Sequence, residues 1–185
     1  MATYRTEIGR HDGDGRQFAV KLALRALALL SAIVVTGLIA DQLHVSIKGI
    51  DLCVFGLNVD ISNYTYSSDK NACRYGTAIG VITMIYAIIF IVIDILLHRG
   101  MGSPVNKKLV SIADLVCSCL LALLWEVAFF YLLLKWNETG PKNSSLINSD
   151  KETQAGATMA FSCIGGIIWF LLAIIAAVHI KRAAA

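Results

Sequence analysis

Charge is what this sequence has least of. Only 16% of its 185 residues are charged, against 57% hydrophobic, which is too apolar for a soluble domain in a chain too short for more than one compact unit. From Gly76 to Ile93 no charged residue occurs at all. A helix rising about 1.5 Å per residue needs a run of that length to cross roughly 30 Å of hydrocarbon. Short alternating segments, the mark of a membrane barrel, are missing, so the apolar runs read as helices. Also missing is the n-region and h-region of a cleavable leader. Residues 1–20 instead read as a flexible, mixed-charge segment, followed by a retained signal anchor.

Absent motifs narrow the chemistry further. There is no nucleophile elbow and no phosphate loop, and no Cys-x-x-Cys or His-Cys cluster has zinc spacing. His11-Asp12-Gly13-Asp14-Gly15 lacks the downstream pattern of a calcium loop. No basic run is interleaved with aromatics, so the formal net charge of +3 does not point to nucleic acid. The expectation is a non-enzymatic protein with no catalytic residue, metal ligand or cofactor site.

What is present is four apolar spans, at about 21–40, 76–97, 109–134 and 155–180, each near the ~20 residues that a crossing helix requires. Arg5, Arg10, Arg16, Lys21, Arg25, Arg99, Lys107, Lys108, Lys181 and Arg182 fall on one side of the membrane, while Lys48, Lys70, Arg74, Lys135, Lys142 and Lys151 fall on the other. The positive-inside rule then expects both termini in the cytosol. The sequons beginning at Asn63, Asn137 and Asn143 all lie in loops assigned to the lumen, where they are candidate glycosylation sites.

Cys53 and Cys73 are the two cysteines outside the spans. In an oxidising lumen they are expected to bridge, with two free thiols as the alternative. Cys117, Cys119 and Cys163 lie inside spans and read as small buried thiols, with lipidation as the alternative. Three ionisable residues sit inside spans at similar depth near the cytosolic side: Arg25, Asp94 and Asp114. They are expected to cluster and tie three helices together, or else to snorkel separately. Glu126 sits deeper. It could serve a proton or cation path, a hydrogen bond to a neighbouring helix, or a subunit contact. Gly76-x-x-x-Gly80 and Ser162-x-x-x-Gly166 are small-residue faces that permit close helix approach. Tyr75, Tyr131 and Trp136 are placed as interfacial anchors, with Trp125 and Trp169 filling the bundle.

Asn71-Ala72-Cys73-Arg74-Tyr75-Gly76, the helix ending Ile91-Val92-Ile93-Asp94, Lys107-Lys108, Ala113-Asp114, Leu124-Trp125, Lys135-Trp136 and Met159-Ala160-Phe161-Ser162 with Trp169 together resemble the synaptogyrins. These are tetraspan vesicle proteins with a MARVEL-type domain, related to the synaptophysins. The resemblance covers about Phe18 to Arg182. It implies an all-α, four-transmembrane-helix bundle in synaptic or secretory vesicles, acting in vesicle biogenesis, membrane curvature and regulated exocytosis. Implied partners are membrane lipids, anionic or cholesterol, and other copies, vesicle tetraspans or SNARE proteins. The chain departs from the family pattern in the longer separation of Cys53 and Cys73 and in Glu126, where an aromatic or aliphatic residue is expected. It also ends at Lys181-Arg182-Ala183-Ala184-Ala185, which reads as a truncated tail or an engineering scar. An ion channel or proton-coupled transporter is the alternative. A claudin-like adhesion protein is disfavoured, because the first loop contains no Trp.

Overall fold

The computed structural model describes residues 2–47, 50–60, 65–99, 104–139 and 149–184. Four long helices dominate: α1 (Ala2–Gly37), α2 (Lys70–His98), α3 (Pro104–Thr139) and α4 (Ser149–Ala184). The stretches Gly15–Asp41, Lys70–His98, Lys108–Thr139 and Ser149–Lys181 are long and apolar enough to cross a membrane. α2, α3 and α4 run beyond both ends of the spans drawn from hydropathy, while α1 starts earlier than its span and gives way at Leu38 to a π-helical turn. Once an apolar run has nucleated a helix, each further residue adds a hydrogen bond without repeating the nucleation cost. Helical geometry in α1 starts at Ala2, ahead of the first apolar span. α2 starts where it does because the Asp69 carboxylate accepts from Asn71 N–H at 3.0 Å, satisfying one of the free donors at a helix start.

The helices form a ring in which α1 packs on α2 and α4, and α3 packs on α4 and α2. Trp125 and Trp169 fill its centre, 1% and 0% exposed. Trp125 Nε1–H donates to Thr83 Oγ1 at 2.9 Å, so a polar indole edge is satisfied between α3 and α2. Outside the ring, Leu30, Ile33, Ile85, Ile88, Leu123, Phe130 and Phe170 stand exposed. An apolar girdle of that extent suits lipid and not water.

Small residues set the helix spacing at two seams. A Cβ at Gly76 would overlap Ile39 Cδ1, and one at Gly80 would overlap Thr36 Oγ1, so α1 and α2 meet here nearly backbone to backbone. Across the ring, a Cβ on Gly165 would meet the Trp125 indole at 3.0 Å. Ser162 is fully buried one turn earlier and donates to the Thr158 carbonyl at 2.8 Å.

The first loop contains strands that the sequence reading did not assign. After a π-helical turn at Leu38–Gln42, β1 (His44–Ile47) pairs antiparallel with β2 (Ile50–Cys53), and β3 (Asn58–Asp60) pairs with β4 (Thr65–Ser67). Apolar residues at Val45, Ile47, Ile50 and Leu52 do alternate about the connection, but strands of four and three residues are too short for a period of two to stand out.

The two glycine seams differ in how far their neighbours can give. Gly165→Ala presses a methyl onto a ring pinned by Thr83 and is expected to cost about 1–3 kcal/mol. Gly76→Ala meets only the swinging end of Ile39 and should cost less. Unfolding of both variants in the same detergent checks the order.

Candidate functional site: a bundle braced at both ends

At the end of the ring that holds both termini, Arg25 is completely buried. Its Nη2 donates to Asp114 Oδ1 at 2.9 Å, and its Nε lies 3.0 Å from Asp94 Oδ2. Lys21 Nζ donates to the other Asp114 oxygen at 2.8 Å, while Ser118 Oγ lies 3.4 Å from Oδ1. The guanidinium also sits over the Phe90 ring, 4.6 Å from its centroid, a cation–π contact that strengthens as water is removed. Two cations thus face two carboxylates across α1, α2 and α3, and the cluster is neutral overall. The Arg25–Asp94 contact is close enough for an ion pair but misses hydrogen-bond geometry, leaving Arg25 Nε and Asp94 Oδ2 without a hydrogen-bond partner among the described residues. Asp114 is therefore the better-bonded anchor. The structure brings together the three residues expected to cluster and adds Lys21, which hydropathy had placed at the edge of the first span.

The opposite end is closed covalently. Cys53, at the end of β2, is bonded to Cys73 in the first turn of α2, with Cα atoms 6.2 Å apart. Closing a loop of this length contributes about 3 kcal/mol in the chain-entropy model. Around the bridge lies a polar clasp. The Asp69 carboxylate accepts from Tyr131 Oη at 2.9 Å and faces Lys135 Nζ at 3.3 Å, so the residue that caps α2 also grips α3. Gly56 N–H points at both Thr139 Oγ1 (2.8 Å) and the Lys135 carbonyl (3.0 Å). The Thr139 hydroxyl has the Val54 and Lys135 carbonyls within reach of its one proton. Gly56 has φ of 70°, and a Cβ there would press on Asp69 at 3.0 Å, so glycine is needed for both conformation and space. Phe55 packs edge-on against Trp136, and Tyr75 against Tyr131. The aromatics expected as interfacial anchors are thus members of the clasp.

Asp69, Gly56 and Thr139 were missed by sequence reasoning. One signal was available: an Asp immediately before an apolar helix reads as an N-cap. Asn137 is exposed, but Thr139 of its sequon is buried and bonded. Asn63 and Asn143 lie outside the described residues.

Glu126 joins neither brace. It is half-buried on α3, and its Oε1 stands 2.7 Å from where a Gly166 Cβ would be, so it lies in the notch that glycine leaves in α4. No hydrogen bond or ion pair reaches it among the described residues. Among those residues there is also no group of three or more His, Cys, Asp or Glu that could hold a metal ion.

Four crossing helices in a closed ring, with a covalently bridged loop between the first two, define a tetraspan membrane domain. The chain belongs to the MARVEL family of membrane-associating domains, whose model matches residues 18–175. Within that family it is similar to the synaptogyrins, as the sequence motifs imply. Human synaptogyrin-1 is 28% identical over 155 residues, covering 83% of this chain and 60% of the relative. Rat synaptogyrin-2 is 29% identical over 158 residues, covering 84% of this chain and 63% of the relative. The chain thus spans less than two thirds of the length of these relatives.

The two braces respond to different perturbations. Asp114→Ala leaves the buried Arg25 and the half-buried Lys21 short of a carboxylate and is expected to cost about 3–5 kcal/mol. Asp94→Asn should cost less, because that contact is not hydrogen-bonded; equal losses on denaturation in micelles would contradict this ranking. At the clasp, burial pushes the Asp69 carboxyl up, but hydrogen bonds from Tyr131, Lys135 and Asn71 N–H together with the Lys135 charge outweigh it, and the pKa is lowered. A lowered folded pKa gives stability that is present above the ordinary carboxylate range, about pH 4, and is lost as pH falls through the folded value. Thermal midpoints should therefore be unaffected by this group between pH 7 and 5. An acid-side decline should follow, and its Asp69 component should vanish in Asp69→Asn.

Proposed function

We propose that this chain is a non-enzymatic structural component of synaptic or secretory vesicle membranes, acting in vesicle biogenesis, membrane curvature and regulated exocytosis through lateral assembly, with both termini cytosolic. The observation that carries the reading is the double bracing. An ion cluster fixes one end of the helix ring, and a disulfide with its clasp fixes the other, leaving a stiff body with an apolar girdle. A stiff inclusion imposes its shape on the bilayer, where a loose helix bundle adapts to it. Arg16, Arg99, Lys108 and Lys181 are exposed at the end that carries the termini. Basic residues there each gain about 1 kcal/mol beside an anionic leaflet, which supports a cytosolic assignment for that end. The family membership and the synaptogyrin likeness support the vesicle setting.

The channel or transporter reading draws less support. It would need Glu126 to line a wet path inside the ring, whereas Glu126 lies in the α3–α4 seam, half-open to the surroundings. Reconstitution at a defined lipid-to-protein ratio tests both. Clustered protein in vesicles of narrowed diameter, with no proton or cation flux, is the expected result. Isolated monomers in unaltered vesicles would sink the assembly reading, and a flux abolished by Glu126→Leu would restore the alternative.

A further inference from the structure

Two polar side chains on the membrane-facing surface bond to nothing within the described bundle. One is Glu126. The other is Tyr86 on α2, 38% exposed with its ring stacked on Phe90, whose hydroxyl has no partner among the described residues. Lipid tails offer neither donor nor acceptor, so polar groups at this depth seek another helix.

The two stand at matching depth. The Trp125–Thr83 hydrogen bond puts those residues on one level. Glu126 is the next residue toward the disulfide end, and Tyr86 is three residues toward the other end, a separation of about 6 Å along the helices. Helical side chains lean toward their own N-terminus. Because α2 and α3 run in opposite directions, Tyr86 leans toward the disulfide end and Glu126 leans away from it, which closes the gap. Their faces differ, however. Tyr75, three turns before Tyr86 on the same side of α2, touches Tyr131 of α3, so Tyr86 lies on the side of α2 that faces α3. Glu126 lies on the α4 side of α3. With α3 between them, the two cannot meet within one chain.

We infer that the Tyr86 hydroxyl of one copy donates to the Glu126 carboxyl of a second copy, joining the α2–α3 face of the first to the α3–α4 seam of the next. The contact rests on the lateral-assembly reading and gives it an address. The donor and acceptor lie on different faces, so the contact is head-to-tail, and every copy can engage two neighbours.

The test uses the full chain in liposomes, with Cys117, Cys119 and Cys163 replaced by Ala and the Cys53–Cys73 bridge kept. One tagged copy carries Ile82→Cys and another carries Ile167→Cys, at positions 41% and 51% exposed. Oxidation should yield an 82–167 product between copies. Membrane hydrogen bonds are modest, so Tyr86→Phe and Glu126→Leu should each lower the yield about three- to tenfold. Their combination should lower it no further, and Glu126→Gln, which keeps an acceptor, should retain most of it. A yield indifferent to Tyr86→Phe overturns the inference, as does a prevailing 167–167 product, which would mean that Glu126 meets its own counterpart. Copy number is counted separately by stepwise photobleaching. Assembly that persists without the 82–167 product overturns this contact but leaves lateral assembly standing, whereas monomers throughout overturn both.

Discussion

A guanidinium that cannot reach water constrains this whole molecule. Arg25 is fully buried, and a bare cation in such a place would cost far more than a small domain's stability. Its position is tolerable only with Asp94 and Asp114 brought to it from two other helices, and Asp114 in turn draws in Lys21. The requirement is mutual, since each carboxylate is equally costly without its cation. Helix rotation and helix depth at this end are therefore set together. Apolar packing alone leaves a membrane helix freer to slide, because lipid competes with neighbouring side chains on nearly equal terms.

The four spans, the bridge and the identity of the clustered charges were legible in the sequence because each is an exception to a strong rule. Charges are rare inside an apolar run, and cysteines outside the spans were only two. Depth could be counted in residues, which put Arg25, Asp94 and Asp114 on one level. The clasp was not legible. Asp69, Tyr131 and Thr139 are ordinary residues near span ends and Gly56 sits in mid-loop, and what joins them is the path of a loop whose strands are too short to declare themselves. Hydropathy also drew the helices short, since polar terminal turns extend a helix without adding to its apolar signal. The Gly76 and Gly80 pattern flagged close approach but not its partners, which are Ile39 in the π-helical turn and Thr36 on α1.

The two braces also divide their labour by chemistry. The ion cluster is non-covalent and sits where α1, α2 and α3 converge, so it governs how the helices meet. The disulfide is local, linking residues 20 apart in sequence, and by itself holds only the loop to α2. It is the neutral and charged hydrogen bonds of the clasp that extend that hold to α3. Family likeness to the synaptogyrins accounts for the plan, and Glu126 stands apart from both braces, in the notch of Gly166.

The clasp has a consequence for synthesis. Residues 53 to 73 leave the ribosome well before Lys135 and Thr139, whose groups receive Gly56 and Asp69. The bridge can close as soon as α2 is inserted, but the loop stays without its remaining partners until the third span has crossed and delivered its far end. The full set of contacts of the first loop therefore forms only after α3 is in place.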